Sequence, residues 1–340
     1  MPKQFIPLLG QDSTFQRTMR LLSDRSVFAE PIVITNVEYR FTVLEQLQAL
    51  GLAAEIVLEP ARRDSAAAVA VGTEIALRRD SQAIVGVFAA DHVIRDAGFF
   101  VETCRKAGEL AAQGRIVTIG IPPTHPATGY GYTQPGDALG EEARAVAAFV
   151  EKPDAQRAAQ YLHDGYFWNS GNFIFDAATM RAEIETFESQ VLKPVVEAVA
   201  GTKPDLDFLL LDAASFGNAK KTSIDYAVME RTQKAAVIAG HFGWSDVGGW
   251  SAVWELSDKD ASGNVIEGRG YVLEGANNLV RRDEGLVAVI GLDDVAVIAT
   301  RDAVLVAPRA KVDKVKELVA RRGQWRAGGE RASRDLPALG

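Results

Sequence analysis

The sequence predicts an α/β fold with a mixed, mostly parallel sheet, followed by a small β-rich region. Three observations carry this prediction. Over roughly the first 120 residues, short apolar β-type runs alternate with helical segments, as strands with covering helices do. The run over 83–90 (AIVGVFAA) is apolar and rich in β-branched residues, which predicts a strand buried on both faces. From Ser262 onward the alternation gives way to short β-type runs separated by Gly, Asn and Asp.

In chain order, STFQRTMRLL at 13–22 reads as a helix capped by Ser13 or Asp12. Residues 32–35 form a strand, 38–50 an amphipathic helix that Gly51 ends, and 55–58 the next strand. Asp64 and Ser65 are N-cap residue types before an Ala-rich helix. That helix start, with Arg62 and Arg63 beside it, is either a plain cap with solvated arginines or an anion site; the plain cap is the commoner meaning. The strand over 83–90 ends at Asp91-His92, and ligands of open α/β sheets sit beyond the carboxyl ends of strands. Asp91 is therefore either a turn cap or a functional carboxylate. A helix over 98–113 and a strand over 116–120 follow.

Residues 122–132 (PPTHPATGYGY) combine Gly129 and Gly131, which let backbone approach a ligand, with Tyr130. A Pro- and Gly-rich surface turn is the plainer reading. QPGDALGEE over 134–142 reads as a loose linker. The strand over 146–150 ends in Glu151-Lys152-Pro153, an acid and a base before a helix with Pro153 at N1. In FWNSGNFIF (167–175), Asn169 carries both a donor and an acceptor, which suits a hydroxyl-rich ligand, while Trp168 reads as core. A helix over 177–199 is broken at Pro194. Ser223 caps a helix with Asp225 in its first turn. A strand over 236–238 leads to FGWSDVGGW, where Asp246 stands among glycines and tryptophans. Residues 311–321 read as the one helix of the β-rich region, and the Gly- and Arg-rich stretch 323–340 as a mobile tail.

Bulk composition narrows the function. A chain of 340 residues suggests one large domain plus a smaller one, or two domains, and 47% hydrophobic content is ordinary for a globular protein. A net charge of −8 and a pI near 5.2 argue against nucleic-acid binding, but not against a nucleotide held by local Lys and Arg. One cysteine, Cys104, forms no internal disulfide, so a reducing cytoplasm is expected. No apolar run spans a bilayer, so no membrane is expected, and four scattered histidines give no zinc spacing.

FAADHVI, GIPPTHPATGYGY, FVEKPD, FWNSGNFIF, SIDYAVMER and GWSDVGGW, in that order, together resemble the mannose-1-phosphate guanylyltransferases, a branch of the sugar-nucleotide pyrophosphorylases. The late segment VIGLDDVAVIATRDAVLVAPRAKVDKVKELV resembles the C-terminal part of the same family, so the resemblance covers nearly the whole chain. It implies a Rossmann-like nucleotidyltransferase domain over 1–260 and a small β-helical region over 261–322. It implies GTP and mannose 1-phosphate as partners, Mg²⁺ as cofactor, and GDP-mannose and pyrophosphate as products. By position, Asp91 and Asp246 would hold the metal, and Lys3 would touch phosphates. Gly129, Tyr130, Gly131, Glu151, Lys152, Asn169 and Asp225 would hold the sugar phosphate, and Asp64, Ser65 and Asp91 the nucleotide. Asp64-Ser65 replaces an Asn-Thr pair of many relatives, and Gly249 stands where Ser is frequent.

The family opens with a strand and a loop of the form GGxGTRLWPLSR shortly before Pro-Lys-Gln-Phe, whereas here Met1 directly precedes Pro2-Lys3-Gln4-Phe5. Two expectations follow: a start some twenty-odd residues upstream of Met1, or a short chain that binds a nucleotide or sugar phosphate without turnover. A pyrophosphorylase for another hexose 1-phosphate is the remaining alternative. No isomerase activity is expected, and a homodimer is the assembly that the β-rich region allows.

Overall fold

The computed structural model describes residues 1–319, so the expected tail over 323–340 lies outside the described residues. In chain order the strands are β1 (Ile32–Asn36), β2 (Glu55–Glu59), β3 (Ile84–Val87), β4 (Val93–Ile94), β5 (Ile116–Ile121), β6 (Tyr132–Ala138), β7 (Ala143–Val150), β8 (Phe167–Asp176), β9 (Lys203–Asp205), β10 (Phe208–Leu210), β11 (Ala235–Ala239), β12 (Trp244–Ser245), β13 (Val265–Glu267), β14 (Gly270–Leu273), β15 (Leu279–Arg282), β16 (Val287–Ile290), β17 (Val295–Ala299) and β18 (Val304–Pro308). The helices are α1 (Thr14–Leu21), α2 (Arg40–Leu50), α3 (Asp64–Arg79), α4 (Ala97–Ala111), α5 (Ala155–His163), α6 (Ala177–Ala200), α7 (Ala213–Gly217) and α8 (Trp250–Leu256). They form two compact units. A sheet unit comprises residues 18–89 and 94–244, and a coil unit comprises 1–17, 90–93 and 245 onward. This division differs from a cut at residue 260, because the first 17 residues pack within the coil unit.

The sheet unit holds a four-stranded sheet, β1-β2-β10-β9, and a six-stranded one, β3-β8-β5-β11-β7-β6. β1, β2 and β10 are parallel neighbours. In the larger sheet β3 and β5 both run antiparallel to β8, and β11 runs parallel to β5 and antiparallel to β7. Hence β3, β5, β11 and β6 point one way, and β8 and β7 the other. β5, apolar apart from Thr118, is fully buried near the centre. Helices α3 and α6 cover one core, with Val57, Ile116, Phe175 and Met180 among its members. Phe100, Val117, Trp168 and Ile238 belong to the other.

Several local expectations need correction. The run 83–90 is not buried on both faces. Only Ile84–Val87 is strand, it alternates between exposed and half-buried residues, and Ile84 is 41% exposed. The reason is position, since among the described residues β3 is an edge strand paired with β8 alone. Among the described residues no strand pairs with the outer edge of β1 either. The stretch 134–142 is no linker but part of the β6–β7 hairpin; Pro135 is tolerated there because β6 lies at the sheet margin and the register shifts beside it. Pro153 does not sit at N1, because the Asp154 side chain caps α5 by accepting from Arg157 N–H. The break in α6 falls at Glu188, not at Pro194. Pro194 cannot bond the carbonyl of Gln190, and Lys220 N–H donates to that oxygen at 3.2 Å instead. The segment after Ser223 is a π-helix over Asp225–Met229, with Ser223 Oγ accepting from Tyr226 N–H.

One residue of this unit costs stability. Glu59 ends β2 with a buried oxygen that has no hydrogen-bond partner among the described residues. Burial pushes its carboxyl up from 4.5 to about 7. With the folded value above the unfolded one, its stabilising contribution is full below about pH 4.5 and is lost as the pH rises through about 7. Glu59→Gln is therefore expected to be more stable than the parent by about 1–3 kcal/mol at pH 8 and equal to it near pH 4.5. Thermal melts at the two pH values check this, and a Gln variant no more stable at pH 8 would contradict it.

In the coil unit, β13, β15 and β17 stack in parallel, β18 closes that sheet antiparallel, and β14 pairs in parallel with β16. Successive strands alternate between the two ladders, which makes a short β-helix. β13 and β15 were not legible as β-type runs, because Asn264 and Asn278 open them. Those asparagines are the ladder of the coil. Asn264 Oδ1 accepts from Asn278 N–H at 2.9 Å, and Asn278 Oδ1 from Val295 N–H at 3.0 Å. Their amides donate to the carbonyls of Gly275 and Leu292. Asn278 is fully buried, so truncation strands partners at both ends. Asn278→Ala is expected to lower the urea-unfolding free energy by about 2–4 kcal/mol; an unchanged midpoint would show that water replaces the ladder.

Candidate active site

The sheet unit brings together most of the residues expected to hold a sugar. Asn169 lies on β8, with its backbone N–H donating to the carbonyl of Gly131 at 2.8 Å. Its side chain is fixed at both ends. Oδ1 accepts from Thr118 Oγ1 at 2.9 Å and from Gly171 N–H at 3.1 Å, and Nδ2 donates to Asp225 Oδ1 at 3.1 Å. A Cβ at Gly131 would stand 2.5 Å from Glu151 Oε2 and 3.3 Å from Asn169 Cβ, so a side chain there would displace the Glu151 carboxylate. Glu151 is 11% exposed, and Lys152, in the left-handed region at φ 45°, returns to it at 3.1 Å. The Glu151 carboxylate holds the Lys152 ammonium above its usual range. Burial, with the Glu151 charge second, pushes Asp225 up to about 6. Asp225 opens the π-helix, a feature often found at functional sites, which helical spacing alone does not reveal. The cluster thus offers one amide, two carboxylates and an ammonium, a set suited to sugar hydroxyls and a phosphate.

The loop before β6 is pinned from below. Tyr132, fully buried, donates through its hydroxyl to the carbonyl of Ala127 and accepts from Ala127 N–H and from Trp168 Nε1. Tyr130 sits edge-on to Trp168 and Trp244, with ring centroids 5.0 and 5.4 Å away. Trp168 is core, as its sequence setting suggested. Gly129 stands in open space, away from Glu151 and Asn169.

The start of α3 is not a free anion site. Asp64 takes a left-handed conformation, φ 67°, and its carboxylate accepts from Ser65 N–H at 2.9 Å. Ala66 N–H donates to the carbonyl of Thr222. Arg63 reaches the carbonyl of Gly217, and Arg62 reaches Glu38 and Tyr39. Ser65 Oγ accepts from Ile224 N–H at 2.9 Å, so Ser65 braces the segment that carries Asp225.

In the coil unit, Lys3, Asp91 and Asp246 come together from three separate stretches. Lys3 Nζ lies 3.2 Å from Asp91 Oδ2 and donates to the carbonyl of Asp246 at 2.9 Å. Asp246 is shaped by its glycine. Its Oδ1 accepts from Gly248 N–H at 3.0 Å, and a Cβ at 248 would come within 3.1 Å of the carboxylate. Val247 is held at φ 47° between them. His92 is an addition to the predicted set. Its Nε2 lies 3.7 Å from Asp91 Oδ1, and burial lowers its pKa against the opposing pull of Asp91 and Asp246. Its only sequence signal was adjacency to Asp91. The donor set suits Mg²⁺, which takes one or two carboxylates and completes its shell with phosphate oxygens and water. Among the described residues no cluster of three or more His, Cys, Asp or Glu forms a closed metal cage, which a site shared with phosphates does not need.

Among the described residues no helix is long and apolar enough to cross a membrane. Cys104 is buried in α4 and its thiol is pushed up to about 12, so it plays no nucleophilic part.

Comparison with known proteins agrees with this fold. Residues 1–263 match the nucleotidyl transferase family, and 268–321 match the MannoseP isomerase/GMP-like beta-helix domain. The chain is 45% identical over 322 residues to the mannose-1-phosphate guanylyltransferase of Sinorhizobium fredii, covering 94% of this chain and 63% of that protein. It is 42% identical to the mannose-1-phosphate guanylyltransferase RfbM of Salmonella typhimurium, covering 94% and 67%. The chain thus spans about two thirds of the length of these relatives, 63% of one and 67% of the other. A crystal structure described as mannose-1-phosphate geranyltransferase from Thermus thermophilus matches with a TM-score of 0.82 at 30% identity, over 95% of this chain and 92% of that one. By sequence over nearly its whole length and by fold, the chain belongs to the nucleotidyl transferase family, on the branch of the mannose-1-phosphate guanylyltransferases.

Proposed function

We propose that this chain transfers GMP from GTP to α-D-mannose 1-phosphate, giving GDP-mannose and pyrophosphate, with Mg²⁺. The observation that carries the reading is the Asn169–Asp225–Glu151 cluster, whose amide and carboxylates are locked in place at the positions where the family resemblance puts sugar contacts. The names of the relatives support the same substrates.

In the reaction a phosphate oxygen of mannose 1-phosphate attacks the α-phosphorus of GTP. The bond from that phosphorus to the oxygen bridging to the β-phosphorus breaks, and pyrophosphate leaves. No protein nucleophile is needed, so the work of the protein is positioning and charge neutralisation. Asn169 and Asp225 hold mannose hydroxyls, and Asp225 accepts them best when ionised. Lys152 offers its ammonium to the sugar phosphate as a point charge. Lys3 does the same for the nucleotide phosphates. Asp91 and Asp246 would hold Mg²⁺, which when bound neutralises phosphate charge and polarises the α-phosphoryl group.

Pyrophosphate release from GTP and mannose 1-phosphate is expected to need Mg²⁺. Asp246→Asn is expected to lower kcat about a hundredfold or more. Asn169→Ala is expected to raise KM for mannose 1-phosphate about tenfold and leave KM for GTP within about twofold. Because burial lifts Asp225 to about 6, its share of mannose affinity is present above that pH and lost below it, and Asp225→Asn should flatten this limb. Equal rates with glucose 1-phosphate overturn the sugar assignment. GTP binding without turnover marks a nucleotide-binding protein instead of an enzyme.

A further inference from the structure

The π-helix that carries Asp225 is fastened to α6 from both sides. α6 is interrupted at Glu188, whose backbone angles are non-helical, φ −148° and ψ 56°. Glu188 is buried, and its Oε2 accepts from Lys220 Nζ at 2.7 Å. Lys220 precedes the π-helix, and its own N–H donates to the carbonyl of Gln190. Arg231 follows the π-helix. Its Nη1 lies 3.8 Å from the same Glu188 oxygen and donates to the carbonyl of Phe187 at 2.9 Å. Earlier on α6, Glu183 is also buried; it accepts from Thr232 Oγ1 at 2.6 Å and pairs with Lys234 at 3.0 Å. On an unbroken α-helix, side chains at i and i+5 point about 140° apart around the axis. The interruption of α6 lets both carboxylates reach the one segment 220–234.

A buried carboxylate with two cations is weak evidence for stability, because its desolvation offsets much of the attraction. Its use has to be sought in what it holds still. The two partners of Glu188 flank Asp225 in the chain, one on each side. The turn between them is a π-helix, closed by Glu230 N–H donating to the carbonyl of Asp225 at 2.9 Å. Such turns are rare and recur at functional sites. A shift at either end of this turn therefore moves Asp225. Asp225 Oδ1 meets Asn169 Nδ2 at 3.1 Å, near the long end of hydrogen-bond range, so a drift of about 1 Å loses that contact. We propose that Glu188 is a positioning residue for Asp225: by holding Lys220 before the π-helix and Arg231 after it, Glu188 sets the Asp225 carboxylate against the Asn169 amide. This role rests on the reading of Asp225 as a mannose contact, but not on turnover. Glu188 acts through the segment that it holds, and misplacement of a binding group by about 1 Å is enough to cost one to two orders of magnitude.

The test is isothermal titration of the full chain with GDP-mannose and with GDP, whose affinity ratio isolates the sugar. The buffer is at pH 8, where Asp225, raised to about 6, is ionised. The parent, Glu188→Gln, Asp225→Asn and the double variant are compared, and melting curves confirm folding. The parent is expected to prefer GDP-mannose about tenfold or more. In Glu188→Gln that preference should shrink to about threefold or less, with GDP affinity within about twofold of the parent. In the Asp225→Asn background the same substitution should change the ratio by less than about twofold, because a residue that acts through Asp225 has nothing left to position. If Glu188→Gln does not fold, Arg231→Gln, which leaves Lys220 on the carboxylate, decides in its place. A parent-like ratio in the folded variant overturns the proposal. So does an equal loss for both ligands, which marks a fold contact, and so does an undiminished effect in the Asp225→Asn background. A parent that does not prefer GDP-mannose overturns the sugar reading of Asp225 and this proposal with it. If the ratio behaves as expected yet no pyrophosphate is released from GTP and mannose 1-phosphate, the transfer reading fails and the positioning role stands.

Discussion

The Lys3 ammonium is the interaction on which the coil unit depends for its chemistry. It touches the Asp91 carboxylate and the Asp246 carbonyl, and so fixes three stretches of chain that are far apart in sequence. Lys3 is itself only 14% exposed, so its charge is poorly solvated and needs those oxygens. The anchor behind it is apolar and long. Leu8 and Leu9 are buried against Leu279, Ala296 and Ile298 of the β-helix, and Arg281 donates to the carbonyls of Pro7 and Leu8. The N-terminal stretch thereby lays Lys3 against Asp91 and Asp246. The β-helix provides the rigid surface that holds it, and the asparagine ladder at Asn264 and Asn278 keeps successive coils in register.

The sheet unit solves a different problem, how to keep acids close together without losing the fold. Glu151 and Asp225 lie near each other at low exposure, and the shared cost appears as a raised Asp225 pKa. The Ser223 hydrogen bond and the Lys152 charge relieve part of it, while the Asn169 amide donates to Asp225 and is held the right way round by Thr118 and Gly171. Ser65 braces Ile224 and hence the π-helix. A residue at a motif position can thus act on the site through the backbone of its neighbour. An acidic protein can still receive anions by this arrangement, because Lys3 and Lys152 are local charges set among oxygens, and the net charge of −8 says nothing about them.

How much was legible follows from which physical signal each feature leaves in sequence. The α/β order, the buried β5 and the position of most helices were legible because burial writes a periodic apolar pattern. Asp91, Glu151, Asn169 and Asp246 stood out as polar residues where apolar runs end. What a strand pairs with leaves no such pattern. The run 83–90 looks like a central strand, yet β3 pairs antiparallel with β8 on one side and with no described strand on the other. Pro135 and Gly136 made a true strand look like a linker, because composition records turn residues but not the sheet margin that tolerates them. The asparagine ladder was hidden for a related reason, as Asn is read as a turn residue until its neighbour in the next coil is known.

Glu59 is the instructive omission. In sequence, Glu-Pro after a strand is an ordinary exit to a loop, and a glutamate is expected to face water. Only the fold shows that one of its oxygens is buried and unpaired, while Asp64 in the same connection, which looks more functional, spends its carboxylate on Ser65. The distinction between the two acids is whether the protein has already satisfied them. A polar group with its bonds complete contributes to the fold. One left incomplete in a buried place lowers stability until something else completes it, and selection tolerates that only where the something else matters.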